Sequence, residues 1–149
     1  MKKLFKFSFF LPILFLSFLI FFFIFKSNVG PTDALVSLGD TMIAVEVVKS
    51  PAERTLGLSG RESLEGGMWF VFPKADHYAF WMKDMKFPID IIWVGDDFTI
   101  VDIKENVLPS SFPETFRPKA KALFVLEVPA GFSKTHQIHI GGKVSLEDK

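Results

Sequence analysis

Phe80-Trp81-Met82-Lys83-Asp84, followed by Pro88-Ile89-Asp90, places two large aromatics, a thioether, a cation and two carboxylates within eleven residues. On a strand, side chains alternate between faces, so Trp81 and Lys83 share one side and Phe80 and Met82 the other. The expected split sends Phe80 and Met82 to the core and leaves Trp81 and Lys83 on a partly open face. An aromatic plane beside a cation suits a sugar, an aromatic or an acidic group. The plain structural alternative makes Trp81 a lid over the end of a small barrel, with Lys83 paired to Asp84 or Asp90. Asp90 interrupts the otherwise apolar run Ile89 to Val94. A carboxylate in such a strand must be exposed, paired or hydrogen-bonded. A salt bridge to Lys83, Arg54 or Arg61 is the structural account, and a ligand-binding acid is the functional one. Arg54, Arg61 and Glu62 flank a glycine-containing turn. They are placed to hold an anion, or to cap a helix and brace neighbouring strands.

Other chemistries have weaker support. His77 would need a nucleophile within reach to act as a base. Ser59, Ser63 and Ser110 are present, but the Gly-x-Ser-x-Gly elbow is not. His136 and His139 stand three apart, a spacing that a strand sends to opposite faces. No metal site and no cofactor are therefore expected. The candidate ligand patch comprises Trp81, Lys83, Asp84, Asp90, Arg54 and Arg61. Three functional classes remain. The first is a binding or interaction module for a small molecule, an envelope component or a protein partner. The second is an envelope-directed hydrolase, with Asp84 or Asp90 as acid/base and Lys83 as electrostatic stabiliser. The third is a structural envelope protein without a ligand. A perturbed carboxylate in a concave pocket would favour an enzyme, and a flat aromatic surface would favour a binding module.

These residues have to be placed on a framework of 149 residues, enough for one domain. The start of the chain is set apart from it. Lys2, Lys3 and Lys6 precede 19 uncharged residues, Phe7 to Phe25, and Lys26 closes the run. All but Ser8, Pro12 and Ser17 are Phe, Leu or Ile. As a helix the run would measure about 28 Å, close to the hydrocarbon thickness of a bilayer. Its apolar residues supply at most roughly −5 to −10 kcal/mol of insertion free energy. Residues 1–26 are read as an N-terminal membrane anchor, or as a secretory signal if cleaved. The run exceeds a usual signal core, and no clean small-x-small cleavage site follows it, which favours the uncleaved anchor. The lysines before the run put the N-terminus in the cytoplasm. Residues 27–32 read as a linker, and residues 33–149 as an extracytoplasmic β-rich domain in the periplasm or at the outer surface. If the segment is cleaved, that domain is secreted.

Four of the 17 basic residues precede residue 27, leaving 13 against 17 acidic residues in the remainder, a formal −4. An acidic exported domain lacks the electrostatic footprint of a nucleic-acid binder. The chain has no Cys, so neither a disulfide nor a lipidated cysteine holds it, and a hydrophobic core must.

Turn and strand patterns fill the domain. Gly39-Asp40 links strands Ala34 to Leu38 and Thr41 to Val48. Ser50-Pro51-Ala52-Glu53 has the form of a capped helix start. Met68 to Phe72 is expected as a strand stopped by Pro73. His77 to Met82 is expected as a strand, and Ile89 to Val94 and Phe98 to Glu105 as a hairpin. Residues 106–118 carry Pro109, Pro113 and Pro118 and read as a loop. Ala122 to Val128, a turn or short helix from Gly131, and Val144 to Leu146 complete the set. The expected fold is mainly β (a β-rich α+β domain), a small antiparallel barrel or sandwich of about seven or eight strands with one or two short helices, after an N-terminal transmembrane helix.

Ordered motifs run through this framework. They are Arg54-Thr55-Leu56-Gly57-Leu58, Arg61-Glu62-Ser63-Leu64, Gly67-Met68-Trp69-Phe70-Val71-Phe72, Phe80-Trp81-Met82-Lys83, Pro88-Ile89-Asp90-Ile91, Glu105-Asn106 and Val125-Leu126-Glu127-Val128-Pro129-Ala130-Gly131. Together they resemble the uncharacterised family "domain of unknown function 192", also called uncharacterised protein family 0127, over most of residues 42–146. The resemblance implies a compact β-rich domain, often exported, with no established reaction. Ser59 stands where the family usually has Met, and Asp84-Met85 where it usually has Asn-Thr. Some relatives carry cysteines near the loop that here reads Pro109-Ser110-Ser111, so a redox role there does not extend to this chain.

Overall fold

The computed structural model describes residues 34–148. The expected membrane helix and the linker at 27–32 lie outside them. No helix among the described residues is long and apolar enough to cross a membrane.

Nine strands and two short helices make up the domain. In chain order they are β1 (Ala34–Leu38), β2 (Thr41–Val48), α1 (Pro51–Leu56), β3 (Gly67–Asp76), β4 (Phe80–Trp81), β5 (Ile89–Val94), β6 (Ile100–Val107), β7 (Thr115–Phe116), β8 (Ala122–Pro129), α2 (Phe132–Thr135) and β9 (Val144–Asp148). Seven form one curled sheet in the order β6-β5-β8-β3-β2-β1-β9, and β4 and β7 form a separate two-stranded ribbon. The sheet is a half-barrel. Its two edges meet at one rim through a bridge between Thr99 and Lys143.

All pairings in the sheet are antiparallel except β2 with β3. That parallel pair departs from the expected all-antiparallel arrangement. Parallel neighbours need a crossover of a dozen or more residues, and α1 with the turns up to Gly66 supplies it. Ser50 caps α1 in a full capping box: its side chain accepts from the Glu53 N–H, and the Glu53 carboxylate accepts from the Ser50 N–H at 2.8 Å. The crossover ends at Gly66, whose φ is +79°. An added Cβ there would collide with the Ala44 carbonyl oxygen, so the close approach of backbone to backbone requires glycine.

Two further strand expectations need correction. β3 does not stop at Pro73 but runs on to Asp76, with a register shift between Val71 and Asp76. A strand tolerates proline at such an irregularity. The expected strand from His77 to Met82 shrinks to Phe80–Trp81. Its partner, Thr115–Phe116, lies in the proline-rich stretch expected as a loop.

The core lies on both faces of the sheet. Every strand of the curl contributes to the inner cluster, which includes Val36, Val45, Trp69, Ile92, Leu126 and Val144. The outer cluster covers β3, β5 and β8 with residues from the crossover and the ribbon, among them Leu58, Met68, Phe70, Met82, Trp93, Phe116 and Val125. β5 is consequently buried along its whole length, which explains its near-continuous apolar run.

Asp90 sits in this strand with no exposed surface. Its Oδ1 accepts from the N–H of Asn106 at 2.8 Å and of Gly131 at 3.1 Å, and its Oδ2 accepts from the Ser133 N–H at 2.9 Å. The expected salt bridge to a basic side chain is replaced by three backbone donors. The carboxylate thus ties β5 to the end of β6 and the start of α2. Asp90→Ala strands three donors in the interior. It should cost about 3 kcal/mol or more in urea unfolding of the full chain, with Asp90→Asn in between because one acceptor oxygen remains. A loss below about 1 kcal/mol would contradict this role.

Candidate functional site

One rung of register partners crosses the outer face of the sheet: Glu46, Met68, Glu127, Ile91 and Lys104. Glu127 is its centre. It lies in β8 between Leu126 and Val128, both buried against the inner cluster, so strand alternation sends its side chain outward. Outward here still means covered, since Glu127 is 5 % exposed and its Oε2 has no hydrogen-bond partner.

Above it is a cavity of about 320 Å³. α1 and the turn after it form one side through Pro51, Arg54, Thr55, Leu56, Leu58 and Ser59. β3 supplies Phe70 and Phe72. The segment entering the ribbon supplies Tyr78, Phe80 and Trp81, and Met85 and Glu127 also line it. The aromatic wall is well ordered by contact. Phe72 stacks on Tyr78 with ring centroids 3.6 Å apart, and Phe80 meets Phe70 edge to face at 5.0 Å. Two bonds hold the crossover against the ribbon segment: Ser59 Oγ donates to the Lys83 carbonyl at 2.9 Å, and the Gly60 N–H donates to the Asp84 carbonyl at 2.9 Å.

The expected ligand residues are distributed over this region unequally. Phe80 and Met82 do turn inward while Trp81 stays 51 % exposed. Trp81 lines the cavity mouth, with Phe112 against its ring at 5.9 Å and Lys83 Nζ over it at 5.9 Å. Arg54 also lines the cavity. Its Nη1 donates to the Lys49 carbonyl and to the Val71 carbonyl, and its guanidinium lies 5.2 Å from the centroid of Phe72. Arg61 is committed to a two-pronged pair with Glu46, at 2.8 and 3.0 Å. Asp84 is exposed and holds a left-handed backbone, φ +56°. Asn and Asp are the side-chain-bearing residues that adopt this conformation most readily. That accounts for an acid standing where an amide is usual. Asp90 is remote from this group in function, sealed among its backbone donors. Trp81 and Arg54 are therefore brought together at the cavity, and Lys83 is linked to it only through the Trp81 ring. Arg61 stands behind it, and Asp84 and Asp90 serve the backbone.

Glu127 is the residue that inspection of the sequence passed over. The pattern that singles out Asp90, a lone acid in an apolar strand, is equally present in Leu126-Glu127-Val128. The two acids differ in what meets them. Burial pushes the Glu127 carboxyl from its ordinary 4.5 up to about 8, against the weaker opposing pull of the Arg61 guanidinium. At neutral pH it is a carboxylic acid, able to donate one hydrogen bond and accept another. A perturbed acid in a cleft is a candidate functional group, because catalytic and binding sites are where burial is arranged to shift a carboxyl. Among the described residues no group of three or more His, Cys, Asp or Glu is arranged to hold a metal ion.

Comparison with known proteins identifies the family and the fold. The model of the family DUF192, described as "Uncharacterized ACR", matches residues 34–146. A solved structure from Sinorhizobium meliloti 1021, described as a "putative transcription regulator", is similar at 27 % identity and a TM-score of 0.72, covering 76 % of this chain and 93 % of its own. A protein of unknown function from Novosphingobium aromaticivorans DSM 12444 is similar at 30 % identity and a TM-score of 0.72, covering 79 % and 89 %. No curated protein matches the chain.

Between pH 4.5 and about 8 the folded chain keeps a proton on Glu127 that the unfolded chain has released. Stability should therefore fall as pH rises through that window. Relative to Glu127→Gln, the wild type is expected to lose on the order of 4 kcal/mol between pH 5 and pH 8 in denaturant titrations. Parallel pH profiles for the two proteins would contradict the raised value.

Proposed function

The chain belongs to this uncharacterised family, and we propose that it is a membrane-tethered extracytoplasmic domain that binds a small, largely apolar ligand in the cavity over Glu127. One observation carries the reading. A buried acid with an unpartnered oxygen forms the floor of a concave, aromatic-walled cavity. Unpaired buried polar atoms are costly and rare, and a ligand that supplies the missing partner offsets that cost. The volume falls at the small end of ordinary ligand sites. The tether rests on the apolar run from Phe7 to Phe25 and the lysines that precede it.

A hydrolase at this site would use Glu127 as its acid, in place of Asp84 or Asp90. A raised acid in a concave cavity is the feature that favours an enzyme. Binding is nevertheless the better-supported reading, because every hydroxyl in the lining, on Thr55, Ser59 and Tyr78, already donates to a backbone carbonyl and none is set beside a base. The regulator description of the Sinorhizobium protein is not carried over, since the formal −4 of residues 27–149 gives no phosphate-binding footprint.

Thermal unfolding of the full chain in detergent, against a panel of small metabolites, tests the reading. A ligand at about 100 times its dissociation constant should add about 2.7 kcal/mol. The gain should vanish in Trp81→Ala, which removes a half-exposed side chain and leaves the core intact. A panel without a stabilising compound, or a gain that survives in Trp81→Ala, would count against the cavity. The tether has its own check: the chain should stay with the membrane through alkaline washing, and its release would overturn that part.

A further inference from the structure

The polar atoms around the cavity are unevenly spent. Thr55 Oγ1 donates to the Pro51 carbonyl at 2.9 Å, and the Tyr78 hydroxyl to the Lys74 carbonyl at 2.8 Å. Ser59 is likewise occupied by Lys83. These hydroxyls have spent their donors and keep only acceptor capacity, so two groups remain that can still donate. Only Nη1 of Arg54 is engaged, so its Nη2 and Nε have no hydrogen-bond partner among the described residues. Glu127 Oε2 has none either. The uncommitted groups are thus a cation and a carboxyl group, set among apolar and aromatic walls.

Charge decides which ligand fits. Facing Glu127 across the sheet are the apolar Met68 of β3 and Ile91 of β5, with Glu46 of β2 and Lys104 of β6 at the ends of the rung. From the crossover come Arg54 and Arg61, and Arg61 already neutralises Glu46. Lys83 sits over Trp81 at the mouth. Of the residues that line the cavity, Arg54 is the only cation and Glu127 the only acid. An incoming ammonium would therefore meet the free Arg54 nitrogens, and the exposed Lys83 and Asp84 beyond the lining offset each other. An anion would find the opposite.

We propose that the cavity takes a small organic carboxylate with an aromatic or otherwise apolar body, its head group held between the Arg54 guanidinium and the Glu127 carboxyl. The inference rests on the reading that this cavity is a ligand site. The ligand carboxylate accepts from free guanidinium N–H groups of Arg54 and from the hydroxyl of neutral Glu127, while its ring packs among Phe72, Phe80 and Trp81. Charge-assisted bonds of this kind are the stronger class. Because Glu127 must be neutral to donate, binding weakens as it ionises.

Three probes of one shape and different charge test this: benzoate, benzamide and benzylamine, titrated onto the full chain in detergent by ligand-observed NMR at pH 6.5 and pH 9. Benzoate should bind best at pH 6.5 and at least tenfold more weakly at pH 9. Glu127→Gln should abolish that pH dependence, whatever its affinity. Preference for benzylamine or benzamide, or benzoate binding that is unchanged or stronger at pH 9, would overturn the carboxylate class while leaving the cavity as a site. Failure of all three probes at millimolar concentration would overturn both.

Discussion

Burial of β3, β5 and β8 on both faces is the constraint on which the rest of the structure depends. An inner cluster drawn from all seven strands of the curl covers one face, and the crossover and ribbon cover the other. Along Gly67 to Phe70 of β3, all of β5 and Phe124 to Val128 of β8, no side chain reaches water by alternation alone. Each polar group there must be met by the protein or left unmet. Asp90 and Glu127 show the two outcomes on neighbouring strands. Asp90 faces the inner side, where the left-handed Asn106 and the start of α2 direct three N–H groups at it. Glu127 faces the outer side, where Met68 and Ile91 flank it and no donor is aimed at Oε2. The same residue class becomes a structural staple in one place and a perturbed acid in the other.

The outer cover also shapes the cavity. The β2–β3 crossover and the segment into β4 arrive from opposite ends of the chain's middle section and are joined by Ser59 and Gly60 bonding to Lys83 and Asp84. The cavity is lined by both of these covers and by Glu127. The Phe80-Trp81-Met82-Lys83 motif thus does two jobs. Phe80 and Met82 pack toward the sheet, while Trp81 lines the mouth with Lys83 over its ring. Arg54 similarly braces Lys49 and Val71 with one nitrogen and leaves the rest of its guanidinium at the cavity. Architecture and candidate binding surface are therefore the same residues, and chemistry is available only from the atoms that packing has not used.

Much of this was legible in the sequence. The Gly39-Asp40 hairpin, the Ser50 capping box, the β5–β6 hairpin and the split of Phe80 and Met82 from Trp81 follow local rules that tertiary context did not override. The family resemblance was legible too, and the chain is a member. The misreadings were non-local. A helix between two strands allows a parallel pair, but only the partner's position decides it, as at β2 and β3. Pro73 argued for a strand end that a register shift avoided. β7 was hidden because only Thr115 and Phe116 pair, inside a stretch that Pro109, Pro113 and Pro118 mark as a loop. Glu127 was hidden for another reason. A lone acid in an apolar strand announces that something must meet it, but whether anything does is a property of the surrounding backbone, which the strand's own sequence does not contain.

The account centres on an acid that is protonated at neutral pH because the fold buries it without a partner. The most direct measurement is the side-chain carboxyl ¹³C shift of Glu127, followed by NMR through a pH titration of the folded chain. The account predicts a single transition near pH 8, with the neutral form present at pH 7. A transition below pH 5, the range of an ordinary glutamate, would show that water or an unrecognised donor meets the carboxylate, and would remove the physical basis for a site in this cavity.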